Sequence, residues 1–229
     1  MSGFIFKSLL GSASLRLKLL GRSKTQKDCI RYFATKGCRL LSGVGCLSHV
    51  LSDQEFDNLL MAKRSRIDDK LWALNRLGLD ESQVSLIPSI QFEGYNFRED
   101  DTTGIGIDWK MGKDGLARSS SYSISRIFFS EEQIFAYSFT FRMDCDDTVE
   151  TTKEFFYDDI TSLGVNTFTI ENFRSGGCMG MNMIKENINA HSFSIHVPHD
   201  SFTSVLQGTK ENMRAINAMK NTLRSKKNI

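Results

Sequence analysis

The hydrophobic pattern changes once along the chain, from a helical period in the first third to a strand period in the remainder. Between residues 53 and 77 apolar side chains recur every three or four positions, which predicts one amphipathic helix. Ser52 and Glu55 have the spacing of a capping box at its start. Gly78 is placed to end it, because a glycine readily adopts the left-handed conformation that follows many helices.

The first 24 residues also have a helical pattern, with an apolar stripe on one side and basic residues on the other. Lys7 and Lys18 lie opposite the stripe, which contains Phe6, Leu9, Leu10, Ala13, Leu17 and Leu20. Three interpretations fit this segment: a helix at a membrane interface, a helix packed on the rest of the chain, or a targeting sequence. A further helix is predicted over residues 26–41.

From about residue 84 the period shortens towards two, which is typical of strands. Residues 133–143 place four aromatic side chains and a methionine on one face, and we expect that face to be buried. The link at residues 130–132 is short enough for an antiparallel hairpin. About seven strands are predicted, at residues 89–97, 105–109, 121–129, 133–143, 151–157, 165–171 and 192–197.

A last amphipathic helix is predicted near the C-terminus. Asp200 is a candidate cap for its first turn. An apolar stripe then follows at helical spacing, formed by Met213, Ile216, Met219 and Leu223.

Composition narrows the class of protein. The chain has 229 residues, 40% of them hydrophobic and only two of them proline, which excludes a collagen-like or wholly disordered chain. Every stretch of 18 residues contains a charged side chain, so no transmembrane segment is expected. Five cysteines without C-x-x-C spacing favour a reducing compartment, and we therefore expect a cytoplasmic protein, peripheral at the inner membrane surface if its helix binds lipid.

The charge is divided unequally along the chain. Residues 1–50 contain nine basic side chains and one acid, a net charge of +8. Because the whole chain carries +2, residues 51–229 carry −6. A basic arm on an acidic body predicts an anionic partner for the arm, or a contact between the arm and its own body.

Two segments resemble bacterial pleckstrin-homology-like (PH-like) and GRAM-like domains. Ile127–Tyr137 (IFFSEEQIFAY) is similar to a strand–turn–strand unit of these domains, and Glu154–Leu163 (EFFYDDITSL) to a strand that runs into their y-x-d-I-x-s-v pattern. The resemblance covers roughly residues 84–229, and residues 1–83 have no counterpart in it. For that part it implies an antiparallel seven-stranded sandwich or barrel capped by a C-terminal helix. With the helical N-terminal region predicted from the periodicity, the fold class expected is α+β.

Three parts of the chain follow from these patterns: a basic helical arm (1–50), a helix and linker (51–83) and a PH-like β-domain with its C-terminal helix (84–229). Domains of this fold have many functions, so the fold alone assigns none. We expect a non-enzymatic binding or scaffold protein that contacts an anionic membrane surface or a protein partner, and nucleic acid is disfavoured by the acidic body. The residues predicted to make the contact are Phe6, Lys7, Leu9, Leu10, Arg16, Leu17, Lys18 and Arg22.

The alternative is a small hydrolase or transferase with a site near Cys178 and the histidines at 191 and 196. A cysteine activated by a histidine is a nucleophile, but nothing local positions the two groups together. The positions of His191 and His196 differ by an odd number, so one strand would direct them to opposite faces. The acidic run at residues 144–147 lacks the spacing of a calcium loop. No metal and no cofactor is expected.

Overall fold

The computed structural model describes residues 15, 17–34, 50–80, 82, 89–98, 106–176, 182–207 and 209–227; it describes 172–176 and 182–186 by their backbone alone. Within these residues the protein has an α+β architecture, in which helices precede and follow three antiparallel sheets. The α-helices are α1 (Lys24–Phe33), α2 (Asp53–Arg64), α3 (Asp69–Leu77) and α4 (Lys210–Lys226).

The strands form a four-stranded sheet, a small hairpin and a three-stranded sheet. The four-stranded sheet has the order β1-β4-β5-β6, the hairpin is β2-β3, and the three-stranded sheet is β7-β8-β9. All pairs are antiparallel. The strands are β1 (Ile90–Asn96), β2 (Trp109–Met111), β3 (Ala117–Ser119), β4 (Ser121–Phe129), β5 (Gln133–Arg142), β6 (Thr148–Phe156), β7 (Ser162–Gly176), β8 (Asn182–Val197) and β9 (Asp200–Leu206).

The prediction of a single helix over residues 53–77 is wrong, because the chain turns at residues 65–68. Asp68 caps the second helix by accepting a hydrogen bond from the Leu71 amide. Both helices pack their apolar sides on the same sheet. The apolar residues therefore keep a helical spacing in the sequence although the chain turns between the two helices. The predicted ends are confirmed: Ser52 makes the capping box of α2, and Gly78 follows α3 with a φ of +65°.

The four-stranded sheet is covered on both faces at its central strands, β4 and β5. Helices α1, α2 and α3 cover one of these faces, which carries the aromatic residues of β5. The expectation that this aromatic face is buried is therefore confirmed, although helices cover it and not a second sheet. The buried residues on this side are Cys29, Tyr32, Phe56, Leu60, Ile67, Ala73, Leu74, Tyr122, Ile124, Phe128, Phe135, Tyr137, Phe141 and Met143.

The opposite face of this sheet forms the main core with the three-stranded sheet and α4. Ile216 and Met219 of α4 are buried among residues of both sheets, as the predicted stripe requires. Met213 of the same stripe is exposed. The core comprises Phe92, Ile127, Phe129, Ile134, Ala136, Phe155, Tyr157, Ile160, Phe193, Ile195, Phe202, Leu206, Ile216 and Met219.

The predicted seven-stranded sandwich is not a single unit. Its strands are divided between sheets of four and three, and the hairpin β2-β3 adds a third sheet. Asp200 begins β9 and does not cap a helix; Thr209 caps α4 instead. The missed strand follows a tight turn at Pro198 and His199, where His199 adopts a φ of +69°. A non-glycine residue rarely adopts this conformation, so the sequence pattern does not show the turn.

The helix predicted over residues 26–41 corresponds to α1, which ends at Phe33. Residues 35–41 of that prediction lie outside the described residues.

Candidate membrane or partner-binding surface

The chain before α1 is described only in part. Leu15 and residues 17–19 are helical, and Gly21 ends this segment with a φ of +70°. Of the predicted contact residues the structure describes Leu17, Lys18 and Arg22; the others, Phe6, Lys7, Leu9, Leu10 and Arg16, lie outside the described residues. We call residues 15 and 17–22 the N-terminal segment.

Among the described residues of the N-terminal segment, one leucine is buried and Lys18 makes an ion pair with the body. Leu15, which falls outside the predicted stripe, is buried. Leu17 and Leu20, which belong to the stripe, are 69% and 70% exposed. These two leucines therefore do not pack on the body, in contrast to the interpretation in which the stripe belongs to the core.

Lys18 is paired within the chain. Its Nζ lies 2.7 Å and 3.0 Å from the two carboxylate oxygens of Asp108, which immediately precedes β2. Both side chains are partly exposed, so this pair stabilises the attachment by at most about 1 kcal/mol. Among the described residues, the side chains of Arg22, Lys24 and Lys27 make no ion pair, and these three cations remain available to an anionic partner.

Helix α1, which follows the N-terminal segment, packs on α2 through Tyr32. Tyr32 is buried, stacks on Phe56 with ring centroids 4.4 Å apart, and donates a hydrogen bond to Asp53. The Lys110 ammonium lies 3.3 Å from the centroid of the Tyr32 ring, a cation–π contact. Burial, strengthened by the hydrogen bond to Asp53, raises the pKa of Tyr32 above its ordinary value. The phenol thus stays protonated and remains a donor.

Asp53 joins α2 to the hairpin β2-β3. Partial burial disfavours its charged form, but hydrogen bonds from the Lys113 amide and the Tyr32 hydroxyl outweigh this effect. The pKa of Asp53 is therefore lowered. The carboxylate is charged at neutral pH and fastens the start of α2 to the hairpin.

A second charged clamp, which the sequence pattern does not reveal, lies beside it. Arg118 of β3 is buried and donates two hydrogen bonds to Asp57 of α2, at 2.8 Å and 2.7 Å, and two more to Asp114. Tyr95 donates to the same Asp57 carboxylate. Hydrogen bonds from Arg118 hold the pKa of Asp114 well below its usual range. The hydrogen-bond donors and acceptors of these groups pair with one another. The clamp therefore positions the hairpin, and its groups are not left to act in a reaction.

Neither histidine of the alternative prediction belongs to an accessible nucleophilic site among the described residues. His191 and His196 fall on opposite faces of β8, and each is hydrogen-bonded to a hydroxyl, of Thr167 and Ser194 respectively. The Ser194 hydroxyl lies 2.9 Å from Nε2 of His196, which is the hydrogen-bond distance at which a histidine can activate a serine. Ser194 is almost completely buried, so no substrate reaches its oxygen. Cys178 lies outside the described residues.

The acidic run at residues 144–147 is used for structure. Asp144 accepts two hydrogen bonds from the buried Arg142, and Asp146 accepts one from Gln26 of α1. Asp147 accepts a hydrogen bond from the Cys145 thiol. Burial raises the pKa of this thiol to about 11. In the part of the chain that the structure describes, no three His, Cys, Asp or Glu side chains are grouped to hold a metal ion.

A cleft of about 530 Å³ lies at the other end of the four-stranded sheet, where β6 ends. It is lined by Glu131, Glu132, Phe156, Tyr157, Asp158, Asp159 and Lys226. Its charge is opposite in sign to that of the N-terminal segment, and no pattern in the sequence indicates it.

Across the described residues, no helix combines the length and the hydrophobicity needed to span a bilayer. No protein-family model, curated protein or solved structure matches this chain.

Proposed function

We propose that this protein is a non-enzymatic binding protein that contacts an anionic membrane surface, or an acidic protein partner, through its basic N-terminal region. One observation carries the proposal: Leu17 and Leu20 are exposed to solvent on a segment whose neighbouring cations, Arg22 and Lys24, are unpaired among the described residues. Exposed leucines beside basic side chains are the composition of an interfacial helix.

The expected energies are sufficient for reversible binding. Complete burial of a leucine side chain contributes about 1.5–3 kcal/mol, and each leucine here exposes more than two thirds of its surface. Each cation near an anionic leaflet adds about 1 kcal/mol. Two leucines with Arg22, Lys24 and Lys27 therefore give about 5–7 kcal/mol before the entropy lost on binding.

The proposal includes a PH-like body, supported by the order of the elements. The order β1-β4-β5-β6 followed by β7-β8-β9 is two consecutive antiparallel meanders, apart from the hairpin inserted between β1 and β4. Helix α4 follows and contributes Ile216 and Met219 to the core between the two sheets. This is the strand–helix order of the family that the sequence resembles. The inserted hairpin and the helices before β1 are additions to it.

Vesicle co-sedimentation tests the function. The full chain is mixed with phosphatidylcholine vesicles that contain about 30% phosphatidylserine, at low salt where surface electrostatics is least screened. We expect Leu17→Ser/Leu20→Ser to weaken binding by about tenfold or more, because the apolar contribution is lost. Deleting residues 1–22 should abolish binding, and it retains Ser23, whose side chain caps α1.

The matched control is Leu71→Ser, which changes a leucine of α3 that is 52% exposed but distant in sequence from the basic region. It should bind vesicles as the unmodified chain does. If the Leu17→Ser/Leu20→Ser variant binds anionic vesicles as strongly as the Leu71→Ser control, the membrane function is refuted. If neither the unmodified chain nor any variant sediments with vesicles, only the protein-partner form of the proposal survives.

A further inference from the structure

Strand β6 forms one edge of the four-stranded sheet. It pairs with β5 over its whole length, from Thr148 opposite Phe141 to Phe156 opposite Gln133. Within the described residues no strand pairs with its other side. About half of the backbone N–H and C=O groups of this nine-residue strand therefore point away from β5, in a row that an extended peptide can extend by β-augmentation.

Four carboxylates line the cleft at the end of β6. Glu131 and Glu132 come from the β4–β5 turn, and Asp158 and Asp159 from the 3₁₀ turn after β6. Among the described residues none of these four side chains makes an ion pair or a side-chain hydrogen bond. Lys226 also lines the cleft, so four acids and one lysine give a net charge of −3, and an anionic membrane or nucleic acid is repelled from it.

An aromatic ring occupies the same cleft. Phe156, the last residue of β6, is 55% exposed although most phenylalanines of the sheet are buried. A ring face next to several carboxylates favours the ammonium or guanidinium group of a lysine or arginine, because the ring and the acids both attract a cation. The backbone edge and this ring belong to β6, and the four carboxylates come from the two turns at the same end of the sheet.

We propose that the β6 edge and the acidic cleft form a docking site for an extended, lysine- or arginine-rich peptide segment of a partner protein. The peptide adds as a fifth strand beside β6 and places a basic side chain over Phe156. The main-chain row, about 30 Å long, requires an extended chain and not a small cation. This site is separate from the N-terminal segment and opposite to it in charge, so either proposal can fail without the other.

The one lysine near the middle of β6 does not block this edge. Lys153 extends to Asp200 at the start of β9, where its Nζ lies 2.7 Å and 2.8 Å from the two carboxylate oxygens. An unpaired lysine on an edge strand commonly prevents edge-to-edge pairing. Here its charge is neutralised and its side chain is held against the other sheet.

The test uses a fluorescein-labelled nine-residue peptide of alternating lysine and valine, with fluorescence anisotropy against the full chain. Two control peptides replace every lysine by glutamate, or two adjacent central residues, one lysine and one valine, by proline, which removes an N–H from each side of the strand. We expect the lysine–valine peptide to bind and neither control to bind, since glutamate is repelled and proline lacks the N–H needed for pairing. Hydrogen exchange should show new protection in residues 148–156 when the peptide is bound.

Two sets of variants separate charge from main-chain pairing. The variant Glu131→Gln/Glu132→Gln/Asp158→Asn/Asp159→Asn should weaken binding by about tenfold or more at low salt, while Glu211→Gln on α4 should not change it. Successive residues of a strand direct their N–H groups to opposite sides, so one of Thr151→Pro and Thr152→Pro removes an outward N–H. That variant should keep the thermal stability of the unmodified chain and should no longer bind the peptide.

The proposal is overturned if the lysine–valine peptide does not bind, if the glutamate peptide binds equally well, or if the fourfold neutralised variant retains full affinity. Protection confined to strands other than β6 also overturns it. The neutralised variant changes only exposed side chains, so it tests the proposal even if both proline variants fail to fold.

Discussion

Removing the side chain of Ile216 tests whether α4 completes the core between the two sheets. Ile216 is completely buried, in one cluster with Phe193, Phe202 and other residues of both sheets. Shortening a buried isoleucine to alanine costs about 2–5 kcal/mol, from lost burial and from the cavity left behind. Alanine is the better helix former by a few tenths of a kcal/mol, which offsets a small part. We therefore expect Ile216→Ala to lower the free energy of unfolding by about 3 kcal/mol.

The assay is urea denaturation followed by circular dichroism. The midpoint should fall while the dependence on urea concentration stays the same, because the surface exposed on unfolding is almost unchanged. Met213 lies one turn earlier on the same helix and is 41% exposed, so Met213→Ala is the matched control and should cost less than about 1 kcal/mol. If both substitutions have the same small effect, α4 does not pack between the sheets, and the fold argument for a PH-like body fails with it.

Three further perturbations test other parts of the structure. Asp69→Ala leaves the guanidinium groups of Arg64 and Arg126 without their shared buried carboxylate and should destabilise the protein by about 3 kcal/mol in urea denaturation; an effect below about 1 kcal/mol contradicts the buried pair. Because the folded pKa of Asp53 is lowered, its stabilising effect is present above its unfolded pKa of about 3.9 and is lost as the pH falls through the folded pKa, so Asp53→Asn should flatten the decline of Tm below about pH 4. Burial raises the pKa of the Cys29 thiol to about 12, so Cys29 should resist thiol reagents at pH 8 until urea unfolds the chain, as peptide mapping by mass spectrometry will show; rapid labelling of the folded protein contradicts its burial.

Local signals predicted the start of α2, the end of α3 and most strands correctly. The capping box at Ser52 and the glycine at Gly78 satisfy backbone groups of their own helix ends, so neighbouring residues alone determine them. The hairpin of β4 and β5 was likewise predictable, because three residues connect two strands with clear alternation. The break between α2 and α3 was not, since its reason is tertiary: Arg64, at the end of α2, reaches Glu93 of β1 and Asp69 of α3.

The candidate surfaces were predictable only in part. The sequence indicated a basic amphipathic segment, but the exposure of Leu17 and the pairing of Lys18 with Asp108 depend on a contact between residues 90 positions apart. The acidic cleft combines a turn after β4 with a turn after β6, which lie together only because β5 pairs with both strands. Separations of this kind leave no periodic signal in the chain.

The sequence by itself determined an α+β chain with a basic beginning, a region of alternating strands and an amphipathic last helix, because period and charge are local properties. The tertiary structure alone decided what covers each face. The aromatic side of β5 is apolar whichever element packs on it, and only the packing assigned that side to α2 and α3 and the side of Ile134 and Ala136 to the second sheet. Burial is non-directional and proportional to area, so an apolar face specifies that it must be covered but not by which partner.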